Sequence, residues 1–401
     1  MVNRLALTLA LFTSQLLCLV KGYDLVRDYS GITFFDEWDF YGSWDNLTGG
    51  DVNWLSESDA FSQGLAYVNS ANNAILKVDN THNVDYLQKR NSVRITTKDS
   101  YAVGSLWIID LRHIPFGCSV WPAFWTKGPV WPENGEIDII EAINLMPNNQ
   151  MALHTTSGCM HTTPPNQMGQ TLEPDCSHPA GCTVGELQPN SFGPGFAEMG
   201  GGVWATQFDV QGIFIWFWSR LDVPPSILSS TPTSAIDVSD FGPPSASYLA
   251  TSCNITQFFT PQNLILDITL CGIWAGLPET WLPSCGGQGP TNICYTDDVI
   301  GPGSNYNDAF FEISYVRAYT TGGVVPTPTA AATPIAAVNP DHLFTTVVTA
   351  KPSPDGILRP SPLFFPGNGA TGLRGGGFSS VAVGIGAVLV GLHVGIGMVG
   401  L

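Results

Sequence analysis

Short runs of alternating or apolar residues, each closed by Gly, Pro, Asn or Asp, recur between residues 23 and 321. They include residues 73–78, 92–97, 104–111, 136–142, 150–155, 204–209, 212–219, 264–270 and 309–319. Val, Ile, Phe, Trp and Thr dominate them, the residues that fit a pleated, half-buried surface, so each predicts a strand. Residues 212–219 (GIFIWFWS) are apolar on both faces, which predicts a strand held between two layers. No long segment carries a helical period, and no internal repeat points to a propeller. The pattern predicts one large all-β sandwich over 23–321.

The ends depart from this pattern. Residues 1–22 place Arg4 before an apolar stretch that closes on Val20-Lys21-Gly22, the order of a secretory signal peptide. Residues 322–366 are rich in Pro, Thr and Ala, cannot bury a core, and predict an extended stalk. Residues 367–401 carry a small-residue cluster, Gly367-Asn368-Gly369-Ala370, then a polar spacer and an apolar terminal run. That order predicts replacement of the tail by a GPI lipid, with Asn368 as the attachment residue; a single-pass tail anchor is the alternative. The expected location is the cell surface or cell wall, with membrane contact only through the lipid.

Composition narrows the function. The 401 residues hold 15 Lys+Arg against 33 Asp+Glu, a net charge of −18, and only 12% are charged. So few cations exclude a nucleic-acid partner. With 44% hydrophobic and 11% aromatic residues the chain is not disordered. Of nine cysteines, Cys18 falls in the signal peptide, and the other eight predict up to four disulfides. Cys176/Cys182 and Cys285/Cys294 are close enough for local staples. His154, Cys159 and His161 suggest a metal site, but secretion and the lack of CxxC favour disulfides, so no metal is expected there. Asn46 and Asn254 head glycosylation sequons.

The densest chemistry lies in residues 121–144, WPAFWTKGPVWPENGEIDIIEAIN. Glu136, Asp138 and Glu141 place three carboxyls on one apolar strand, a costly arrangement unless the site uses it. On a regular strand Glu136 and Asp138 share a face and Glu141 points away. A bulge at Ile139–Ile140 returns Glu141 to their face, with Ile137 and one of the following isoleucines in the core. Two carboxyls about 5–5.5 Å apart suit a retaining glycosidase, one attacking the anomeric carbon and the other protonating the leaving oxygen. A third between them shares a proton and tunes both. A solvated acidic edge or a calcium site are the other readings of the triplet. Trp121, Trp125 and Trp131 supply faces for sugar rings, although tryptophan is often core; one or two are expected in the groove and another in packing.

The segment Gly117–Trp125, then Trp131-Pro132 and Asn134–Glu141, resembles the fungal endo-β-1,3(4)-glucanases (laminarinases) of glycoside hydrolase family 16. Thr33–Asp36, Trp38–Tyr41, Arg90–Ile95, Leu153–Thr155, Gly200–Gly202, Trp216–Trp218 and Cys271–Gly276 extend the likeness over the domain. The resemblance implies a β-jelly-roll sandwich of two curved antiparallel sheets, concanavalin A-like, binding β-glucan across a concave cleft. It implies Glu136 as nucleophile, Glu141 as acid/base, Asp138 as their helper and His154 near the acid/base. Trp121, Trp125, Trp131, Arg94 and Trp274 are the implied sugar contacts. Ile273 departs from the family pattern, which has a polar residue there. No cofactor is expected, although the family admits a structural calcium, for which Asp297-Asp298 or Asp36 and Asp39 are candidates. The expected protein is a monomer that hydrolyses internal β-1,3 or mixed-linkage bonds. A wall-remodelling transglycosylase is the alternative, usually with the shorter E-x-D-x-E spacing, and a non-catalytic glucan lectin is a third reading.

Overall fold

Each apolar run forms a strand close to where the alternation puts it. Residues 212–219 become the strand Gly212–Ser219 without a shift, and 136–142 become Glu136–Glu141. The run 92–97 is divided, its start joining Arg90–Ser92 and its end Arg94–Thr97. The computed structural model describes residues 22–328, which all belong to the first of two compact units, 1–338, into which the chain divides. The signal peptide before Gly22, the stalk beyond Pro328, Asn368 and the apolar tail lie outside the described residues.

Two large antiparallel sheets face each other. The first runs Ala246–Leu249, Gly212–Ser219, Gly202–Asp209, Ser105–His113, Phe310–Thr321, Ala74–Lys77 and Ala66–Val68, with Tyr23–Ser30 also paired to Phe310–Thr321. The second runs Gln170–Thr171, Cys182–Gly185, Gln150–His154, Glu136–Glu141, Val120–Lys127, Asn263–Leu270, Arg94–Thr97 and Trp38–Phe40. This is the sandwich that the strand pattern predicts and the jelly-roll that the resemblance implies. Alternation sends Phe124, Ile137, Leu266 and Ile268 inward, where they join Trp38, Trp107 and Trp204 in the main core. A smaller apolar layer, including Leu106, Ile108, Trp216, Trp218, Ile227 and Phe241, covers the far side of the first sheet. It explains why Gly212–Ser219 is apolar on both faces.

The described helices are short; the longest, Pro278–Cys285, has eight residues and starts on a proline, whose missing N–H costs nothing there. Thr327–Pro328, at the start of the predicted stalk, pairs with Asp99–Ser100, so the first stalk residues lie against the domain. Asn46 and Asn254 are both exposed.

Four disulfides form: Cys118–Cys285, Cys159–Cys253, Cys176–Cys182 and Cys271–Cys294. The Cys176/Cys182 staple is as expected. The Cys285/Cys294 staple is not: Cys285 reaches across 167 residues to Cys118, and Cys294 joins Cys271. Proximity in sequence misled because the sheet order brings distant loops to one end of the sandwich.

Arg90 ties down that end. Its side chain is fully buried, and its guanidinium lies 4.7 Å from the Tyr306 ring. One terminal nitrogen donates to the carbonyls of Asp79 (3.0 Å) and His82 (3.1 Å), the other to those of Val299 (2.7 Å) and Gly301 (2.9 Å). Truncation removes the side-chain donor of the Asp79, His82 and Val299 carbonyls, while the Gly301 carbonyl keeps the Val84 amide. Arg90→Ala is expected to cost about 3–5 kcal/mol in urea unfolding, and Arg90→Lys should recover less than half, because an ammonium lacks the planar fork.

Candidate active site

The site is built on the face of the second sheet turned away from the core. Across Val120–Lys127, Phe124 pairs with Ile140 and Trp125 with Asp138, leaving Ile139 as an extra residue. On the other side Asp138 pairs with Ala152 and Glu141 with Gln150. This is the bulge that the spacing predicts. It reverses the alternation, so Glu141 shares the face of Glu136 and Asp138. One detail differs: Ile139 and Ile140 are both in the core with Ile137, because the bulge turns two successive side chains inward.

The predicted residues assemble around these carboxyls. The Trp121 indole N–H donates to Glu141 Oε1 at 2.8 Å. His154, opposite Glu136 on the next strand, puts Nε2 3.4 Å from Asp138 Oδ2 and 3.8 Å from Glu136 Oε1. The Arg94 guanidinium lies between Tyr41 and Trp125, 4.7 and 5.3 Å from their rings. Trp274 meets Trp121 edge to face at 5.3 Å. Trp131 sits 6.4 Å from His154 and is 51% exposed, so its face is open to a ligand. Trp121 and Trp125 are buried but stand apart from the main core, and their N–H groups are spent on carboxylates of this face.

One acid was missed. Asp267, on Asn263–Leu270, pairs with Ala123 and Arg94 and accepts from the Trp125 indole at 2.9 Å. Its signal was present, since it is the lone charge in the apolar strand NLILDITL. The metal reading of His154, Cys159 and His161 dissolves: Cys159 is bonded to Cys253, and His161 Nε2 lies 2.9 Å from Thr171 Oγ1. Glu136, Asp138 and His154 do bring ligand atoms within 4.8 Å of one another. Among the described residues no third His, Cys, Asp or Glu joins Asp36 and Asp39, or Asp297 and Asp298.

Crowding in a desolvated site sets the protonation. Burial, then the charge of Asp138, pushes Glu136 well above the usual carboxylate range, opposed by His154. Burial pushes Asp138 up to about 8 despite its hydrogen bond with Glu136. Glu141 is pushed up to about 8 by burial and by Asp138, with the Trp121 N–H pulling the other way. Asp267 is pushed up to about 7 by burial, against the pull of Arg94. Glu136 and Asp138 therefore titrate as a coupled unit rather than as two independent acids. Glu141, a carboxyl pushed up to about 8, favours its protonated form at neutral pH, the form that can give a proton. Trp121→Phe removes the donor that favours the Glu141 carboxylate, so the alkaline limb of kcat/KM should move to higher pH. A shift to lower pH would contradict this assignment.

Comparison with known proteins places this geometry. The family model for XgeA-like, catalytic GH16 domains matches residues 38–319. A probable glycosidase of Schizosaccharomyces pombe is 36% identical over 307 residues, 75% of this chain and 70% of that protein. An endo-1,3(4)-beta-glucanase of Emericella nidulans is 35% identical over 311 residues, 76% of this chain; the chain spans about half of that relative, 48%. Among solved structures, an elongating GH family 16 beta-1,3-glucosyltransferase is 38% identical with a TM-score of 0.69, covering 74% of this chain and 100% of its own. Laminarinase 16A from Phanerochaete chrysosporium, holding 6-O-glucosyl-laminaritriose in donor and acceptor sites, is 31% identical with a TM-score of 0.68, covering 74% and 99%.

Proposed function

The chain belongs to glycoside hydrolase family 16 as an XgeA-like catalytic domain, and from that premise we propose that it hydrolyses internal β-1,3-glucosidic bonds of β-glucan with retention. The observation that carries this reading is the bulged strand, which collects Glu136, Asp138 and Glu141 on one face beside His154 and Trp121. Ionised Glu136 attacks the anomeric carbon, and Glu141 gives its proton to the departing oxygen. Glu141 then takes a proton from water, which cleaves the glucosyl ester and regenerates Glu136. Asp138 keeps a hydrogen bond on the nucleophile and returns it to the right protonation state. Trp131, Trp121, Trp125, Trp274 and Arg94 line the path of the glucan, a neutral ligand that suits a cleft of indoles and carboxyls. Mixed β-1,3/1,4 linkages are part of the proposed range.

Transfer to a second glucan is the competing outcome, and the glucosyltransferase among the similar structures favours weighing it. It differs only in whether water or a sugar hydroxyl meets the ester. Incubation with laminarin and a labelled laminari-oligosaccharide separates the two. Reducing ends without elongated label support hydrolysis, and longer labelled products as the main outcome support transfer. Export to the cell surface is proposed with this function, supported by four disulfides and two exposed sequon asparagines. The GPI lipid rests on the order of residues 367–401 alone.

A further inference from the structure

A bulge aims a side chain only if something holds the bulge. Between the Asp138–Ala152 and Glu141–Gln150 pairs, Ile139 and Ile140 face the single residue Met151. The backbone there is held by a side chain from the following loop. Asn149 Nδ2 donates to the Ile139 carbonyl at 3.0 Å, and Asn149 Oδ1 accepts from the Glu141 amide at 2.9 Å. One carboxamide thus clasps both sides of the extra residues.

We propose that Asn149 is a positioning residue for the proton donor, fixing the bulge that points Glu141 at the leaving oxygen. The proposal rests on Glu141 acting as acid/base. Asn149 is 1% exposed, and its backbone is spent as well: its N–H donates to Ser191 Oγ at 3.1 Å, and its carbonyl accepts from the Glu186 amide at 2.9 Å. The carboxamide is therefore fixed rather than swinging in solvent. It also presents a donor and an acceptor in one plane, which a hydroxyl or an aliphatic chain does not. Glu136 is anchored independently, by its pairing with His154 and by the Asp138–Ala152 pair beside it. Loss of the clasp should misdirect the acid and leave the nucleophile in place.

That asymmetry gives the test. A dinitrophenolate departs without a proton, whereas a glucan oxygen needs one. Asn149→Ala, checked by circular dichroism for the native fold, should lose at least about tenfold in kcat on laminarin. Its single-turnover release of dinitrophenolate from dinitrophenyl β-laminaribioside should stay within about threefold of the parent. Equal losses on both substrates would overturn the proposal and leave Asn149 as scaffold. If the alanine variant does not fold, Asn149→Leu, which is similar in size but offers neither donor nor acceptor, should show the same selectivity, and equal losses there count against the proposal too. Glu141→Ala is the control. Should it show no leaving-group selectivity itself, the acid/base reading fails first. If it does while Asn149 variants do not, only the positioning role falls.

Discussion

Glu136→Ala is expected to lower kcat on laminarin by about 10⁵-fold, the scale seen when a covalent nucleophile is removed from an intact site. The loss should fall on kcat, because the sugar contacts proposed for Trp131, Arg94 and Trp274 do not depend on this carboxyl. Glucan binding should persist in a gel-retardation or calorimetric assay. Stability should rise. Glu136 is pushed well above the ordinary carboxylate range by burial and by Asp138. Its folded-state pKa therefore lies above its unfolded value of about 4.3. The stability linked to such a group is fully present below that unfolded pKa and is lost as pH rises toward the folded one. Removing it should raise Tm at neutral pH and leave Tm at about pH 4 nearly unchanged. The same variant should accept an α-laminaribiosyl fluoride, whose configuration mimics the glucosyl ester. An acceptor hydroxyl then attacks the anomeric carbon, fluoride departs, and Glu141 takes the proton. Near-normal hydrolysis by Glu136→Ala would exclude it as nucleophile.

Glu141→Ala should lose about 10²–10⁴-fold on laminarin, the range of general acid catalysis. Its first turnover on a dinitrophenyl glycoside should be nearly intact, since that leaving group needs no proton. The second step should stall, because no base is left to activate water. Sodium azide, an anion that attacks without a base, should restore turnover and give a β-glycosyl azide. The alkaline limb of the parent profile should vanish, since the group that burial and Asp138 push up to about 8 is gone. An unchanged alkaline limb would assign it to another acid, with Asp138, pushed up to about 8 by burial, first in line.

Much of this was legible in the chain because alternation and chemistry disagreed at one point. Glu136 and Asp138 keep strand parity and Glu141 breaks it, so either the acid enters the core or the strand bulges. The first alternative buries a charge, which favours the bulge. Local signals likewise located most strands, and the double-sided apolar run 212–219 announced the extra layer on the first sheet. Features that depend on which loops meet were not legible. Cys118 and Cys285 carry no local sign of each other, so the nearer Cys294 attracted the expectation instead. Nothing local to Arg90 tells that the carbonyls of residues 79, 82, 299 and 301 surround it. Nothing local to Asn149, in PNNQ, tells that its amide lies across the bulge.

The central claim is that Glu136 forms the covalent bond to the sugar, and trapping that bond tests it most directly. The full chain is incubated with a fluorinated laminaribioside carrying a good leaving group, which slows breakdown of the ester more than its formation. It is then digested and mapped by mass spectrometry. The account predicts one adduct, on the peptide containing Glu136 and on that residue. An adduct on Asp138, Glu141 or Asp267, or a product that inverts its anomeric configuration with no adduct at all, would contradict it.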